Sequence, residues 1–170
     1  MSSASISDMA TPDEIDIVRD LLRQYVHWLF DSFPDQTEDL RSYFSPDRVQ
    51  AALDEVSTKF ILPDGLALIA RSGGQPVGCV LAYTLEPGIA EMKRLFVMPS
   101  ARGKGLGRTL VAAIGTRMVA LGNRAMRLDT AVFLTDAISL YRGIGFVEIA
   151  PYGAVPPGAA RTTLFMEWRP

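Results

Sequence analysis

Seven consecutive residues, Arg102-Gly103-Lys104-Gly105-Leu106-Gly107-Arg108, interleave three glycines with three cations. Between a strand and a helix start, such a run aims unpaired backbone N–H groups and the positive end of the helix dipole at one point, which favours a phosphate. Its glycines let a diphosphate approach the chain without side-chain interference. Two nucleotide readings fail on spacing. A Walker loop needs four residues between its glycine and a Gly-Lys-Ser/Thr, and no such arrangement occurs. A dinucleotide fingerprint needs two residues before its third glycine, whereas these glycines alternate, although Asp129 ends a strand at a suitable distance. On spacing alone two readings stay open: an anion-binding turn, or a glycine-rich turn whose Arg102, Lys104 and Arg108 are merely solvated.

Other reactive residue types are sparse. Cys79 is the single cysteine and lies in an apolar strand without a catalytic histidine nearby, which predicts a buried thiol and no acyl-enzyme. His27, the single histidine, neighbours Trp28 near a helix end and reads as a packing or capping residue. With one of each, no Cys/His cluster at ligand spacing exists, so no metal is expected. Asp31, Asp35, Glu38 and Asp39 form an acidic patch that either attracts a cationic amine or is simply solvated.

The elements that must hold the loop follow from periodicity and punctuation. Thr11-Pro12-Asp13-Glu14 supplies an N-cap, a proline at the first helical position and early acids. Ile15, Val18, Leu21, Leu22, Tyr25 and Leu29 then recur at helical spacing, predicting an amphipathic helix to about Phe30. The pattern weakens from Asp31 to Ser45. Ser45-Pro46-Asp47 opens a second helical stretch carrying Val49, Leu53 and Val56, ended by Pro63-Asp64-Gly65. Residues 66–70 and 77–83, joined by a Ser72-Gly73-Gly74 turn, read as a hairpin, and residues 89–97 as a third strand. Beyond the glycine loop, Leu106, Leu110, Val111, Ile114, Met118 and Leu121 mark a long helix closed by Gly122-Asn123. A short strand (127–130), a helix carrying Ala137, Ile138, Leu140 and Tyr141, and closing strands at 146–149 and 162–168 complete the order. Residues 151–158 hold three prolines and two glycines, which suits a surface loop beside a site.

Composition bounds the class. At 170 residues and 48% apolar content the chain fits one globular domain, 1–170. Seventeen basic against nineteen acidic residues give a net charge of −2, so no global positive field invites nucleic acid or an anionic membrane. Residues 1–10 lack the basic flank and apolar run of a signal peptide, and no stretch approaches a membrane span. A soluble, cytoplasmic protein is the expectation.

Three ordered motifs then carry a resemblance. Glu91-Met92-Lys93-Arg94-Leu95-Phe96-Val97-x-Pro, Arg102-x-x-Gly105-x-Gly107, and Ala137-x-x-Leu140-Tyr141-x-x-x-Gly145-Phe146 together resemble the GNAT superfamily of N-acetyltransferases. The resemblance implies an α/β (α+β) fold: a mixed, mostly antiparallel sheet of six to seven strands splayed into a V, with about four helices around it. It implies acetyl-CoA as cosubstrate, its pyrophosphate on the backbone of Arg102, Gly103, Lys104, Gly105, Leu106, Gly107 and Arg108 and its pantetheine arm along Leu95, Phe96 and Val97. Many members carry an asparagine seven residues before the tyrosine of the last helix; Leu134 stands there in this chain. Residues 1–63 match only in being rich in helix, and the expected opening strand is faint in Ser5-Ile6-Ser7.

The implied reaction is direct attack of a primary amine, of a small molecule or peptide, on acetyl-CoA in a ternary complex. An alkylammonium of pKa about 10.4 is protonated at neutral pH, so a base is needed. Glu91, eleven residues before Arg102, sits where histone-acetylating members place their glutamate base, acting directly or through water. Tyr141 resembles the family tyrosine that hydrogen-bonds the departing sulfur, and a strand N–H near Phe96 would meet the oxyanion. The competing readings are a strand-edge carboxylate for Glu91, an aromatic core residue for Tyr141, and for the whole chain a non-catalytic acyl-CoA sensor. A homodimer is a further implication of the family.

Overall fold

The computed structural model describes residues 4–170. Strand β1 (Ala4–Asp8) leads into helix α1 (Pro12–Ser32), whose start is a full capping box: the Thr11 side chain accepts from the Glu14 N–H and the Glu14 carboxylate accepts from the Thr11 N–H. The apolar stripe of α1 buries Val18, Leu21, Leu22 and Leu29. The weakly patterned stretch that follows is not a loop. It forms a short 3-10 turn (Pro34–Gln36) and helix α2 (Thr37–Tyr43) before α3 (Pro46–Glu55). Only Leu40 of α2 is buried, because α2 packs on the 3-10 turn at Pro157–Ala159 and not on the sheet, so no apolar stripe marks it. The approach is close: a Cβ on Gly158 would lie 2.4 Å from Ser42 Oγ.

Strands β2 (Gly65–Ser72) and β3 (Gln75–Glu86) form the expected hairpin, with Gly73 and Gly74 at φ 58° and 79° in the two-residue turn between the Ser72–Gln75 pair. Strand β4 (Ile89–Val97), helix α4 (Leu106–Ala120), strand β5 (Ala125–Ala131), helix α5 (Thr135–Ile144), β6 (Val147–Ile149) and β7 (Thr163–Trp168) complete one seven-stranded sheet of order β1-β2-β3-β4-β5-β7-β6. Every neighbouring pair is antiparallel except β4–β5. Five α-helices among the described residues surround it, against about four expected, the addition being α2.

Both faces of the central strands are covered, so β2 reads as a continuous buried run. One face packs against α4 through Leu68, Val80, Met92, Leu110 and Ile114. The other packs against α1 and α3 through Val18, Leu21, Leu53, Ile69, Leu81 and Phe96. Strands β4 and β5 pair only over Ile89–Glu91 and Ala125–Arg127. Past that point β5 keeps its pairing with β7 as far as Ala131, while the edge of β4 from residue 92 onward has no strand beside it. The sheet therefore splits into a V. Within β4 the register with β3 steps from Lys93–Leu81 to Phe96–Cys79, which places Arg94 and Leu95 opposite Val80 alone. This is a β-bulge, and Arg94 takes the left-handed conformation there, φ 56°.

Candidate active site

The split opens a cleft of about 640 Å³ lined by β4 residues 92–97, β5 residues 128–131, the glycine turn, α1, α2 and the start of α5. The glycine turn contributes Arg102, Gly103, Gly105, Leu106, Gly107 and Arg108 to that lining. Gly103 and Gly105 hold φ of 78° and 76°, a conformation that side-chain-bearing residues rarely adopt, and no atom lies within 4 Å of where their Cβ atoms would point. Gly105 is the N-cap of α4 and offers no side-chain cap; the first bond of the helix runs from the Thr109 N–H to the Gly105 carbonyl. The N–H groups of Leu106, Gly107 and Arg108 have no acceptor one turn earlier in the helix. Open amides, a positive helix end and empty space over two glycines fit a diphosphate. Gly107 serves packing: a Cβ there would meet Leu140 Cδ2 at 3.2 Å, so the glycine lets α4 and α5 approach.

The cations of this segment are placed unequally. Arg102 Nε donates to the Val97 carbonyl at 2.8 Å, and its guanidinium lies 4.1 Å from the Trp28 ring centre, so it joins the end of β4 to α1. Arg108 lines the cleft and donates to the Gly143 carbonyl at 3.3 Å, tying α4 to α5. Lys104 is exposed and does not line the cleft. Leu95, Phe96 and Val97 form its β4 wall, with the Phe96 ring packed 5.6 Å from Tyr25.

Tyr141 stands on α5, is 6% exposed and packs its ring 5.6 Å from Phe146. Its hydroxyl makes no hydrogen bond among the described residues, yet is not sealed from the cleft that the residue lines. Burial raises the phenol well above its ordinary pKa, so it stays a neutral donor. Leu134 occupies the N-cap of α5 and supplies no side-chain cap.

Glu91 stands behind the cleft wall. It is 5% exposed and does not line the cleft. One carboxylate oxygen accepts from Tyr83 Oη at 2.5 Å, the other from Tyr152 Oη at 2.9 Å and from Lys93 Nζ at 3.1 Å. Lying on the last stretch where β4 and β5 still pair, it sits behind the point of the V. Tyr152 comes from the proline-rich loop, which is thereby fastened to the site.

Of the carboxylates that line the cleft, Asp39, Asp129 and Asp136, it is Asp129 that lies buried at the split, a residue that spacing brought forward only for a dinucleotide fingerprint. Its oxygens accept from Lys93 Nζ and Tyr43 Oη. Burial opposes its ionisation, but the Lys93 ammonium, both hydrogen bonds and the charge of Arg94 outweigh this and hold the carboxyl below the usual aspartate range. Lys93 and Asp129 would be the next facing residues but one if β4 and β5 stayed paired, so their ion pair spans the opening where the backbone ladder has ended. Tyr25, Trp28, Phe33, Tyr43, Phe44 and Phe133 also line the cleft. Tyr25 belonged to the apolar stripe expected of the first helix, but nothing local tied it to Asp129.

The remaining expectations divide. Cys79 is buried, and burial pushes its thiol up to about 12. His27 neither packs nor caps: its side chain is 82% exposed, 3.2 Å from Asp31. Of the acidic patch only Asp39 lines the cleft. No helix among the described residues is long and apolar enough to cross a membrane.

Comparison with known proteins places this arrangement. A model of the acetyltransferase (GNAT) family matches residues 20–146. An IAA acetyltransferase of Azospirillum brasilense is 42% identical over 106 residues, 62% of this chain and 68% of that protein. An uncharacterised N-acetyltransferase of Schizosaccharomyces pombe is 33% identical over 153 residues, 89% of this chain and 87% of its own length. In fold, the chain is similar to the crystal structure of PaiA N-acetyltransferase from Thermoplasma acidophilum in complex with coenzyme A, at a TM-score of 0.71 and 18% identity, with 99% of each chain covered.

Proposed function

The chain belongs to the GNAT acetyltransferase family and is an acyltransferase, and on that premise we propose that it transfers an acetyl group from acetyl-CoA to a primary amine by direct attack. The observation that carries the reading is the split between β4 and β5, which joins an open amide cradle at the α4 start, an unpaired strand edge and an unpartnered phenol in one cleft.

In this reading acetyl-CoA supplies the activated acyl carbon, with its diphosphate on the amides after Gly105. The strand edge at residues 95–97 orients the pantetheine arm and offers an N–H near Phe96 to the oxyanion. The ammonium first loses a proton to solvent, which serves as the base; the neutral amine then forms the new N–C bond, the C–S bond breaks with its electron pair passing to sulfur, and a second proton leaves the nitrogen for solvent. Tyr141 donates a hydrogen bond to the departing sulfur. With ordinary pKa values of about 10 and 8.5, full proton transfer from phenol to thiolate is uphill by roughly 2 kcal/mol. Burial of Tyr141 raises that gap, so stabilisation by the hydrogen bond is the role assigned to it. Glu91, enclosed by two tyrosines and Lys93, positions Lys93 and through it Asp129, and does not take the amine proton itself.

Thiol release from acetyl-CoA across a panel of primary amines, set beside thermal stabilisation by coenzyme A alone, tests the reading. Release on at least one amine together with stabilisation is the expected result. Stabilisation without turnover on any amine would favour the alternative, a non-catalytic acyl-CoA sensor.

A further inference from the structure

Four cations line the cleft, and three of them are occupied by protein oxygens. Lys93 pairs with Glu91 and Asp129, Arg102 donates to the Val97 carbonyl, and Arg108 donates to the Gly143 carbonyl. The fourth, Arg94, forms neither an ion pair nor a side-chain hydrogen bond among the described residues. Its guanidinium lies instead beside aromatic rings, 5.1 Å from the centre of Phe44 and 6.0 Å from that of Tyr43. The nearby carboxylate, Asp129, already has both oxygens engaged by Lys93 and Tyr43. Arg94 is also the one described residue other than glycine with positive φ, held there by the β4 bulge at the opening of the V. A non-glycine residue is kept in that conformation only where its surroundings dictate it, and such positions concentrate at ligand sites.

We infer that Arg94 determines acceptor specificity by binding a carboxylate, so that the acceptor is an amine bearing a carboxylate on an aromatic body, the chemistry of an aromatic α-amino acid. A planar guanidinium matches a carboxylate with two parallel hydrogen bonds, and its partly desolvated setting strengthens them. Phe33, Phe44 and Phe133 supply flat apolar surface for the ring, with the Phe33 and Phe133 ring centres 4.9 Å apart. The rings beside Arg94, Tyr43 and Phe44, belong to the α2 end of the cleft, whereas Arg102 of the glycine segment packs on Trp28, so Arg94 is assigned to the acceptor and not to the diphosphate.

This inference rests on the acetyl-transfer reading, and the experiment separates the two. Steady-state thiol release is measured with phenylalanine and with phenethylamine, which differ by the carboxylate, on wild type, Arg94→Gln and Arg94→Lys. The quantity read is the ratio of kcat/KM for the two amines. Wild type is expected to favour phenylalanine by about tenfold or more, Arg94→Gln to bring the ratio near one, and Arg94→Lys to fall between. A purely structural role for Arg94 would lower both rates and leave the ratio alone. Equal use of the two amines by wild type, or a ratio unchanged in Arg94→Gln, overturns the inference while leaving acetyl transfer standing. Should neither amine turn over, binding of 3-phenylpropionate to the coenzyme A complex decides the matter by equilibrium dialysis. Binding lost in Arg94→Gln supports the carboxylate site, and no binding to wild type overturns it.

Discussion

The two halves of the cleft are built on opposite principles. In the proposed reading the glycine turn recognises through backbone: Gly103 and Gly105 adopt positive φ, and the amides assigned to the diphosphate are contiguous in sequence. The part assigned to the acceptor would recognise through side chains gathered from α2, the β4 bulge, β5 and the segment before α5, including Tyr43, Arg94, Asp129 and Phe133. A backbone cradle tolerates few changes and carries a short signature. A wall assembled from distant segments can change its preference one side chain at a time, which is how one fold serves many acceptors.

The contrast breaks first at Gly105. Gly105→Val forces a β-branched residue into φ 76° and puts methyl groups where the diphosphate would lie, so coenzyme A affinity measured by calorimetry should fall by roughly a hundredfold. Equal affinity would show that the turn is ornamental. Next comes Asp129→Asn, which leaves Lys93 with one carboxylate and should cost about 2 kcal/mol in urea denaturation, reduced from a fully buried pair because the Lys93 side chain is 23% exposed. The sign of its pH dependence follows from the lowered pKa: the stability Asp129 contributes is present at neutral pH and is lost as pH falls below the ordinary aspartate range. The variant should therefore show a shallower loss of stability in acid than wild type.

Smaller effects sharpen the assignment of roles. Tyr141→Phe should lower kcat roughly tenfold with coenzyme A affinity retained, as suits a hydrogen bond to sulfur. Wild-type turnover would remove Tyr141 from the mechanism. Glu91→Gln should leave the shape of the pH-rate profile unchanged, with kcat/KM rising toward the pKa of the amine itself. Loss of an acidic limb in that variant would restore Glu91 as the base.

How legible each half was follows from the same contrast. The glycine turn, the hairpin at Gly73-Gly74 and the capping box at Thr11 and Glu14 are local devices, so residue type and spacing announce them. The α2 helix escaped because only Leu40 is buried and its support comes from a loop more than a hundred residues later. The splay of the sheet escaped periodicity altogether, since β4 keeps strand character on both sides of the point where pairing with β5 ends, and it was expected only through family resemblance. Glu91 and Asp129 show the limit most clearly. Spacing from Arg102 marked Glu91, but facing direction depends on where the strands part, which puts Glu91 behind the opening and Asp129 within it.

Amide chemical-shift perturbation on adding coenzyme A tests the central claim most directly, with pantetheine, which lacks the diphosphate, as the comparison ligand. Coenzyme A should shift the amides of Gly103, Gly105, Leu106, Gly107 and Arg108 together with those of residues 95–97, and pantetheine only the latter. Shifts centred on the aromatic acceptor wall, with the turn amides unmoved, would contradict it.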